Sequence, residues 1–489
     1  MKHLNRTVAL GAALALFTSL TPALADGVAY VNKGLVGIGR IPANQKDKFG
    51  ETFGSGSGMA IDTKSWTREG ATYRGSLWLL PDRGYNVVGT TDYRPRLNTI
   101  SIELAPTAPG AAPAAGQEQS GVKATLADTM LLTDDKGADA TGLDPLNGVR
   151  AAGDMPMLPE ANGKLALDDE AIVRLPDGTM FISDEYGPNI YRFSAEGRLM
   201  SATQPPAALV PMRHGKPNFA SDNPGPGAAE PDPKDPETGR QNNQGLEGMS
   251  MTPDGRFLIA VLQSAPRQDG GDSGSTRQNT RALVYDASDL AHLKLAHEYV
   301  VPLPMFKDAK GKTKVAAQSE IVALSDKSFL MLARDSGNGQ GVKGDESLYR
   351  KIEIVDLSAA TDIANGPFDA ADKPVAPKGM LDPSVTPAKL TSFIDINDKG
   401  ELGRFGLHNG APNDKDNLSE KWEAMSLAPV LDPKLPDDYF LFVANDNDFL
   451  TQDGFQVGAA YKAEDGADVD TTFLVYQVTL PGLSGNTTQ

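Results

Sequence analysis

The stretch Leu246-Glu247-Gly248-Met249-Ser250-Met251, then Pro253-Asp254-Gly255, then Phe257-Leu258-Ile259-Ala260-Val261-Leu262-Gln263 decides how this chain is read. A short run, a tight turn and a more apolar run make a hairpin. Pro presets φ at the turn, and Gly accepts the positive φ that the turn requires. The second run has the length and apolar character of a buried strand.

Working outward, the same unit recurs four times, and such internal repetition is the mark of a modular architecture. Ser57-Gly58-Met59-Ala60-Ile61-Asp62 leads to Ser76-Leu77-Trp78-Leu79-Leu80-Pro81-Asp82-Arg83-Gly84. Asp169-Glu170-Ala171-Ile172-Val173 leads through Pro176-Asp177-Gly178 to Met180-Phe181-Ile182-Ser183-Asp184-Glu185. Ser319-Glu320-Ile321-Val322-Ala323-Leu324 leads to Phe329-Leu330-Met331-Leu332-Ala333-Arg334-Asp335. Trp422-Glu423-Ala424-Met425-Ser426-Leu427 leads to Tyr439-Phe440-Leu441-Phe442-Val443-Ala444-Asn445-Asp446. Further strand-like runs follow most units, at residues 189–193, 281–285, 297–301 and 349–355.

The expectation is an all-β chain: a β-propeller of four-stranded blades, with five repeats counted and six blades possible. A sixth, degenerate blade would have to lie between residues 88 and 165. The last unit, ending at 472–478, lacks its fourth strand, and residues 28–31 are placed to supply it. A ring closed by N- and C-terminal strands has no exposed edge. The competing architecture is an open pair of β-sandwiches. Segments 105–116, 205–243 and 365–387, rich in Pro, Gly, Ala or Asp, read as surface loops within one domain.

Residues 1–25 read as a cleaved leader: Lys2 and Arg6, then a short apolar run over 8–17, then Ala23-Leu24-Ala25 before the cut. Residues 26–489 would then be a single domain, periplasmic or secreted, with no membrane insertion. The chain carries a net charge of −18 and no cysteine. That charge disfavours nucleic acid and anionic membranes, which need a basic surface. Without cysteine there are no disulfides, thiolate nucleophiles or zinc–thiolate sites. Neither composition nor repeat requires more than a monomer.

In an antiparallel hairpin the start of the first strand lies beside the end of the second. Glu170, Glu247, Glu320 and Glu423 sit at starts, while Asp82, Asp184, Asp335 and Asp446 sit at or just past ends. In a ring with the first strands innermost, these acids would meet at one mouth of the axial channel. Carboxylates so crowded raise one another's pKa unless cations intervene. Hard oxygen ligands at this density suit Ca²⁺, with Mg²⁺ or Mn²⁺ as alternatives. Expected metal ligands are Glu170, Glu247, Glu320, Glu423, Asp82, Asn445 and Asp446. Alternatively, the glutamates bind backbone N–H groups of the neighbouring blade and serve architecture alone. Asn445-Asp446-Asn447-Asp448 is the densest acid–amide run. Asp395 to Gly400 begins like an EF-hand loop, but Lys399 and Gly406 stand where ligands are needed. No G-x-S-x-G elbow occurs, and Gly54 to Gly58 does not lead from a strand into a helix.

The order of Ser57-Gly58-Met59, Leu80-Pro81-Asp82-Arg83-Gly84, Asp169-Glu170-Ala171, Ser183-Asp184-Glu185-Tyr186-Gly187, Asn243 to Ser250 and Asn445 to Phe449 resembles a bacterial family called esterase-like activity of phytase. The resemblance implies a propeller, export, and hydrolysis of phosphoric or carboxylic esters. The expected substrate is a small anionic or ester compound. Asp184 or Asp335 would serve as general base, while Arg83 and Arg334 would steady developing negative charge. Two other functions fit the acids: a divalent-metal lactonase using Glu170, Asn445 and Asp446, and a non-catalytic extracytoplasmic binding propeller.

Overall fold

The computed structural model describes residues 22–25, 27–54, 56–86 and 89–483. The expected leader therefore lies outside the described residues up to residue 21. Strand is the dominant element, and the one α-helix among the described residues is the short Lys399–Arg404.

A long N-terminal strand, β1 (Val28–Ile41), precedes four antiparallel sheets of four successive strands. The first comprises β2 (Gly58–Ile61), β3 (Thr72–Leu80), β4 (Arg96–Leu104) and β5 (Val122–Leu131), with Thr67–Glu69 added beside β3. The second holds β6 (Asp169–Arg174), β7 (Met180–Asp184), β8 (Ile190–Phe193) and β9 (Leu199–Thr203). The third holds β10 (Leu246–Met251), β11 (Phe257–Leu262), β12 (Asn279–Asp286) and β13 (Lys294–Pro302). The fourth holds β14 (Ala317–Ala323), β15 (Ser328–Arg334), β16 (Arg350–Asp356) and β17 (Lys389–Asp395).

The fifth sheet takes strands from both ends of the chain. β18 (Lys421–Pro429), β19 (Asp438–Asp446) and β20 (Thr471–Thr479) are followed by β1, which runs antiparallel to β20 from Val31 opposite Thr479 to Ile41 opposite Thr471. Lys33 clasps the arrangement, its Nζ 2.5 Å from Asp438. Ala23–Ala25 adds a short strand outside β1, and a cut after Ala25 removes that strand while leaving β1 whole.

The turns follow their chemistry. Gly178 and Gly255 take φ of +86° and +70°, and Asp177 and Asp254 accept backbone N–H bonds from Thr179 and Arg256 across the same turns. Residues 96–131, in the segment considered for a sixth blade, form β4 and β5 of the first sheet. Residues 149–165 make a small sheet of strands two to four residues long.

The first strands of successive sheets touch: β2 with β6, β6 with β10, β10 with β14, β14 with β18, and β18 with β2. Five apolar cores lie between the sheets in the same order. One joins Phe181 with Leu258, and another, across the joint between last and first sheets, joins Phe442 with Leu79. The packing is close. A Cβ added to Gly58 would lie 2.1 Å from the Glu170 carbonyl oxygen, so no larger residue fits there.

Candidate functional site

The acids reach the axis through β-bulges. Leu246 pairs with Leu262 and Gly248 with Val261, leaving Glu247 out of the ladder. Trp422 pairs with Asn445 and Ala424 with Ala444, leaving Glu423 out. Asp169 pairs with Asp184 and Ile172 with Ile182, so Glu170 and Ala171 oppose Ser183 alone. A bulge bends its strand and re-aims the extra side chain. Glu170, Glu247 and Glu423 thereby line a shared cavity of about 280 Å³.

Glu320 does not join them. In β14 the residue left out of the ladder is Ser319, and Glu320 pairs in register with Leu332. Its Oε1 accepts the backbone N–H groups of Ile321 (2.8 Å) and Met249 (3.2 Å), tying β14 to β10 below the mouth. The expected metal ligand is thus held in an architectural role, one register step from the others.

Seven carboxylates and three cations line the cavity. Asp82 and Arg334 are there as expected. Asp168, Glu185, Glu420 and Lys421 also line it, and sequence reasoning passed over them. Two groups of carboxylate oxygens converge to within 4.8 Å of one another: Asp82 with Asp446 and Asp448, and Asp168 with Glu170 and Glu185.

The two groups differ in compensation. Lys421 Nζ lies 2.7 Å from Asp448 and 3.4 Å from Asp446, so the first group contains a cation of its own. In the second, Arg83 bonds Asp168 at 2.8 Å, while Glu170 accepts no hydrogen bond among the described residues. Glu185 takes a backbone N–H from Gly245 at 3.3 Å. Nearby, Glu423 pairs with Arg334. Glu247 accepts from Gln263 through Oε1, while its buried Oε2 has no partner.

Burial is the largest cause of raised carboxyl pKa values here, and neighbouring acids add to it. Glu170 is pushed well above its ordinary range by burial, then by Glu247 and Glu185. Glu247 is raised likewise by burial, Glu185 and Glu423, and Asp82 by burial and Asp446. Glu185 and Glu423 are each pushed up to about 7 by burial, the latter against the opposing pull of Arg334.

Four expected site residues are engaged elsewhere. Asp184 accepts the N–H groups of Asp168 and Gly187, both at 2.8 Å, and is fully buried. Asp335 holds a loop through Ser347 Oγ (2.6 Å) and the Leu348 N–H (2.8 Å). Asn445 donates to the Asp470 carbonyl and accepts the Thr472 N–H, joining β19 to β20. Arg83 is committed to Asp168 and to Ser221 Oγ at 3.0 Å. Neither aspartate is placed to act as a base at the cavity.

Residues 51–449 match the phytase-like family, described as esterase-like activity of phytase. This chain belongs to the phytase-like family. The matched range contains both groups of acids, while β1 and β20, which complete the fifth sheet, lie outside it. An uncharacterized secreted protein of Arthroderma benhamiae is 41% identical over 457 residues, covering 87% of this chain and 88% of its own length. Among solved structures, a luciferin-regenerating enzyme aligns at 11% identity over 92% of this chain and 97% of that one, with a TM-score of 0.27. Regucalcin of Agrobacterium tumefaciens, a calcium-binding protein, aligns at 10% identity over 90% and 95%, with a TM-score of 0.27. Among the described residues of this phytase-like protein, no helix is long and apolar enough to cross a membrane.

Proposed function

We propose that this phytase-like protein is an exported, metal-dependent hydrolase of phosphoric or carboxylic esters, built as a closed five-bladed propeller. Contacts between successive first strands, and the joining of β1 to β20, support that architecture.

The observation that carries the functional reading is the unpartnered Glu247 Oε2 beside Glu170, in a cavity where Asp168 and Glu423 each have an arginine partner and Glu170 and Glu185 have no ion pair among the described residues. A buried carboxylate without a partner is costly. Glu170, Glu185, Asp168 and Glu247 offer hard oxygen donors without histidine or cysteine, a set that fits Ca²⁺ or Mg²⁺. When bound, the cation supplies Lewis-acid polarisation of an ester oxygen and charge stabilisation. The protein's own groups then position and protonate. Arg334, fixed by Glu423 and by Ser319 Oγ at 3.2 Å, presents positive charge at the cavity wall. Asp82, its Oδ1 on the Gly84 N–H at 3.1 Å, is the strand-end aspartate left open to the cavity, and we assign it the proton transfer. Turnover of phytate or nitrophenyl esters with Ca²⁺, Mg²⁺ or Mn²⁺ tests this reading, and no hydrolysis with any of the three refutes it.

A non-catalytic binding propeller is the second reading, favoured by the architectural roles of Glu320, Asp184, Asp335 and Asn445. Full thermal stability after chelation, with no activity across an ester panel, selects it. The lactonase reading loses Asn445, whose amide is spent on backbone groups.

A further inference from the structure

Arg277 stands where two cavities meet. It lines the acidic mouth and also a neighbouring surface groove of about 780 Å³, with Ser336 the other residue common to both walls. Its Nε is buried without a hydrogen-bond partner, and no carboxylate pairs with its guanidinium among the described residues. Arg83, Arg281 and Arg350 share a buried Nε without a partner, but their terminal nitrogens have acceptors, Arg350 donating to the Asn338 carbonyl, whereas those of Arg277 have none among the described residues. Arg83, Arg96, Arg281 and Arg334 each hold acids, and Arg240 is wrapped by the carbonyls of Tyr186, Ala220 and Phe219.

A guanidinium taken partly out of water without an acceptor is destabilising, and in a chain of net charge −18 acceptors are abundant. Three of the four acids on the groove wall are already engaged: Asp335 with Ser347 and Leu348, Glu346 with Lys399, and Asp308 with the N–H groups of its own turn. Lys310, Lys314 and Lys343, exposed on the same wall, take part in no ion pair among the described residues. The groove thus offers uncommitted cations beside a mouth in which Glu247 Oε2 has no partner.

We infer that Arg277 is a specificity-determining residue: it receives an oxyanion, a phosphate or carboxylate group carried on the non-reacting part of the substrate, whose body lies in the groove. The planar fork of a guanidinium suits such a group in bidentate fashion. The inference rests on the ester-hydrolase reading for the reacting end of the substrate. It narrows the substrate class to esters bearing a second anionic group.

The test is titration of inorganic phosphate, and separately acetate, into the metal-loaded and the chelated full chain, for wild type, Arg277→Gln and Arg277→Lys. Arg277→Gln is expected to weaken phosphate binding about 10-fold or more in both states, with metal content unchanged and melting temperature equal to or above wild type. Arg277→Lys keeps the charge without the fork and falls between. Acetate binding that tracks phosphate marks a carboxylate-tolerant site; phosphate binding alone marks a phosphate site. Phosphate affinity of Arg277→Gln equal to wild type overturns the inference, as does a lowered melting temperature in both variants with unchanged phosphate affinity. Metal-free wild-type protein would refute the hydrolase reading, yet leave the chelated-state comparison to judge Arg277 by itself.

Discussion

Lys421 reaches Asp448 with 2.7 Å between Nζ and Oδ1 and Asp446 at 3.4 Å, and so two of the three acids in one group at the mouth share a cation. The neighbouring group around Glu170 has Arg83 on Asp168 and no cation of its own on Glu170. This asymmetry favours placing the proposed divalent ion with Glu170, Glu185, Asp168 and Glu247.

Removing the internal cation should open the closed group. Lys421→Met leaves Asp82, Asp446 and Asp448 without it, and like carboxylates at that range repel. The variant is expected to melt lower than wild type in chelator, to regain stability with added Ca²⁺, and to bind one further ion per chain by elemental analysis. Unchanged stoichiometry and no rescue would show that the group cannot accept a metal.

Breaking the pair across the wall should be severe. Arg334→Gln strands Glu423 as a buried acid, and loss of one partner from a buried pair costs about 3–5 kcal/mol. Denaturant unfolding of Arg334→Gln against Arg334→Gln/Glu423→Gln measures it, with the double variant expected to recover much of the loss.

Glu320 separates architecture from metal binding. Glu320→Ala removes the acceptor of two backbone N–H groups and should lower stability by about 2–3 kcal/mol, leaving metal content as in wild type. Glu320→Gln, which retains an acceptor oxygen, should stay close to wild type in both. A loss of metal in Glu320→Gln would return Glu320 to the ligand set.

Stability should depend on pH in opposite senses with and without cation. The folded-state pKa values of Glu185 and Glu423, about 7, lie above the unfolded values near 4.5. The folded chain therefore holds protons more tightly, and this stabilisation is full below about pH 4.5 and lost as pH rises through 7. In chelator the melting temperature should fall between pH 5 and pH 8. Bound Ca²⁺ needs ionised carboxylates, so saturating Ca²⁺ should flatten or reverse that slope. Glu298, raised by burial to about 7 beside Arg281, adds a part that Ca²⁺ does not alter.

The hairpin repeat is legible in the sequence because turn chemistry and apolar runs are local. Pro176-Asp177-Gly178 and Pro253-Asp254-Gly255 announce themselves, and residues 28–31 mark the start of β1. Register is not legible to one residue. Ser319 and Glu320 stand side by side in a motif where either could be the bulged position, and the bulge falls on the serine. Asp168 stands one residue before the run that begins at Asp169, and Glu185 lies inside its run but next to Asp184, the acid that the strand-end position singles out. Arg277 lies in a loop without a repeat, and its meaning depends on what fails to surround it, which no sequence pattern encodes.

Elemental analysis of the protein purified without added metal, followed by melting before and after chelation, tests the central claim most directly. The account predicts about one divalent ion per chain, a lower melting temperature in chelator, and loss of the ion in Glu170→Gln/Glu247→Gln. Metal-free protein that gains no stability from Ca²⁺, Mg²⁺ or Mn²⁺ would contradict it.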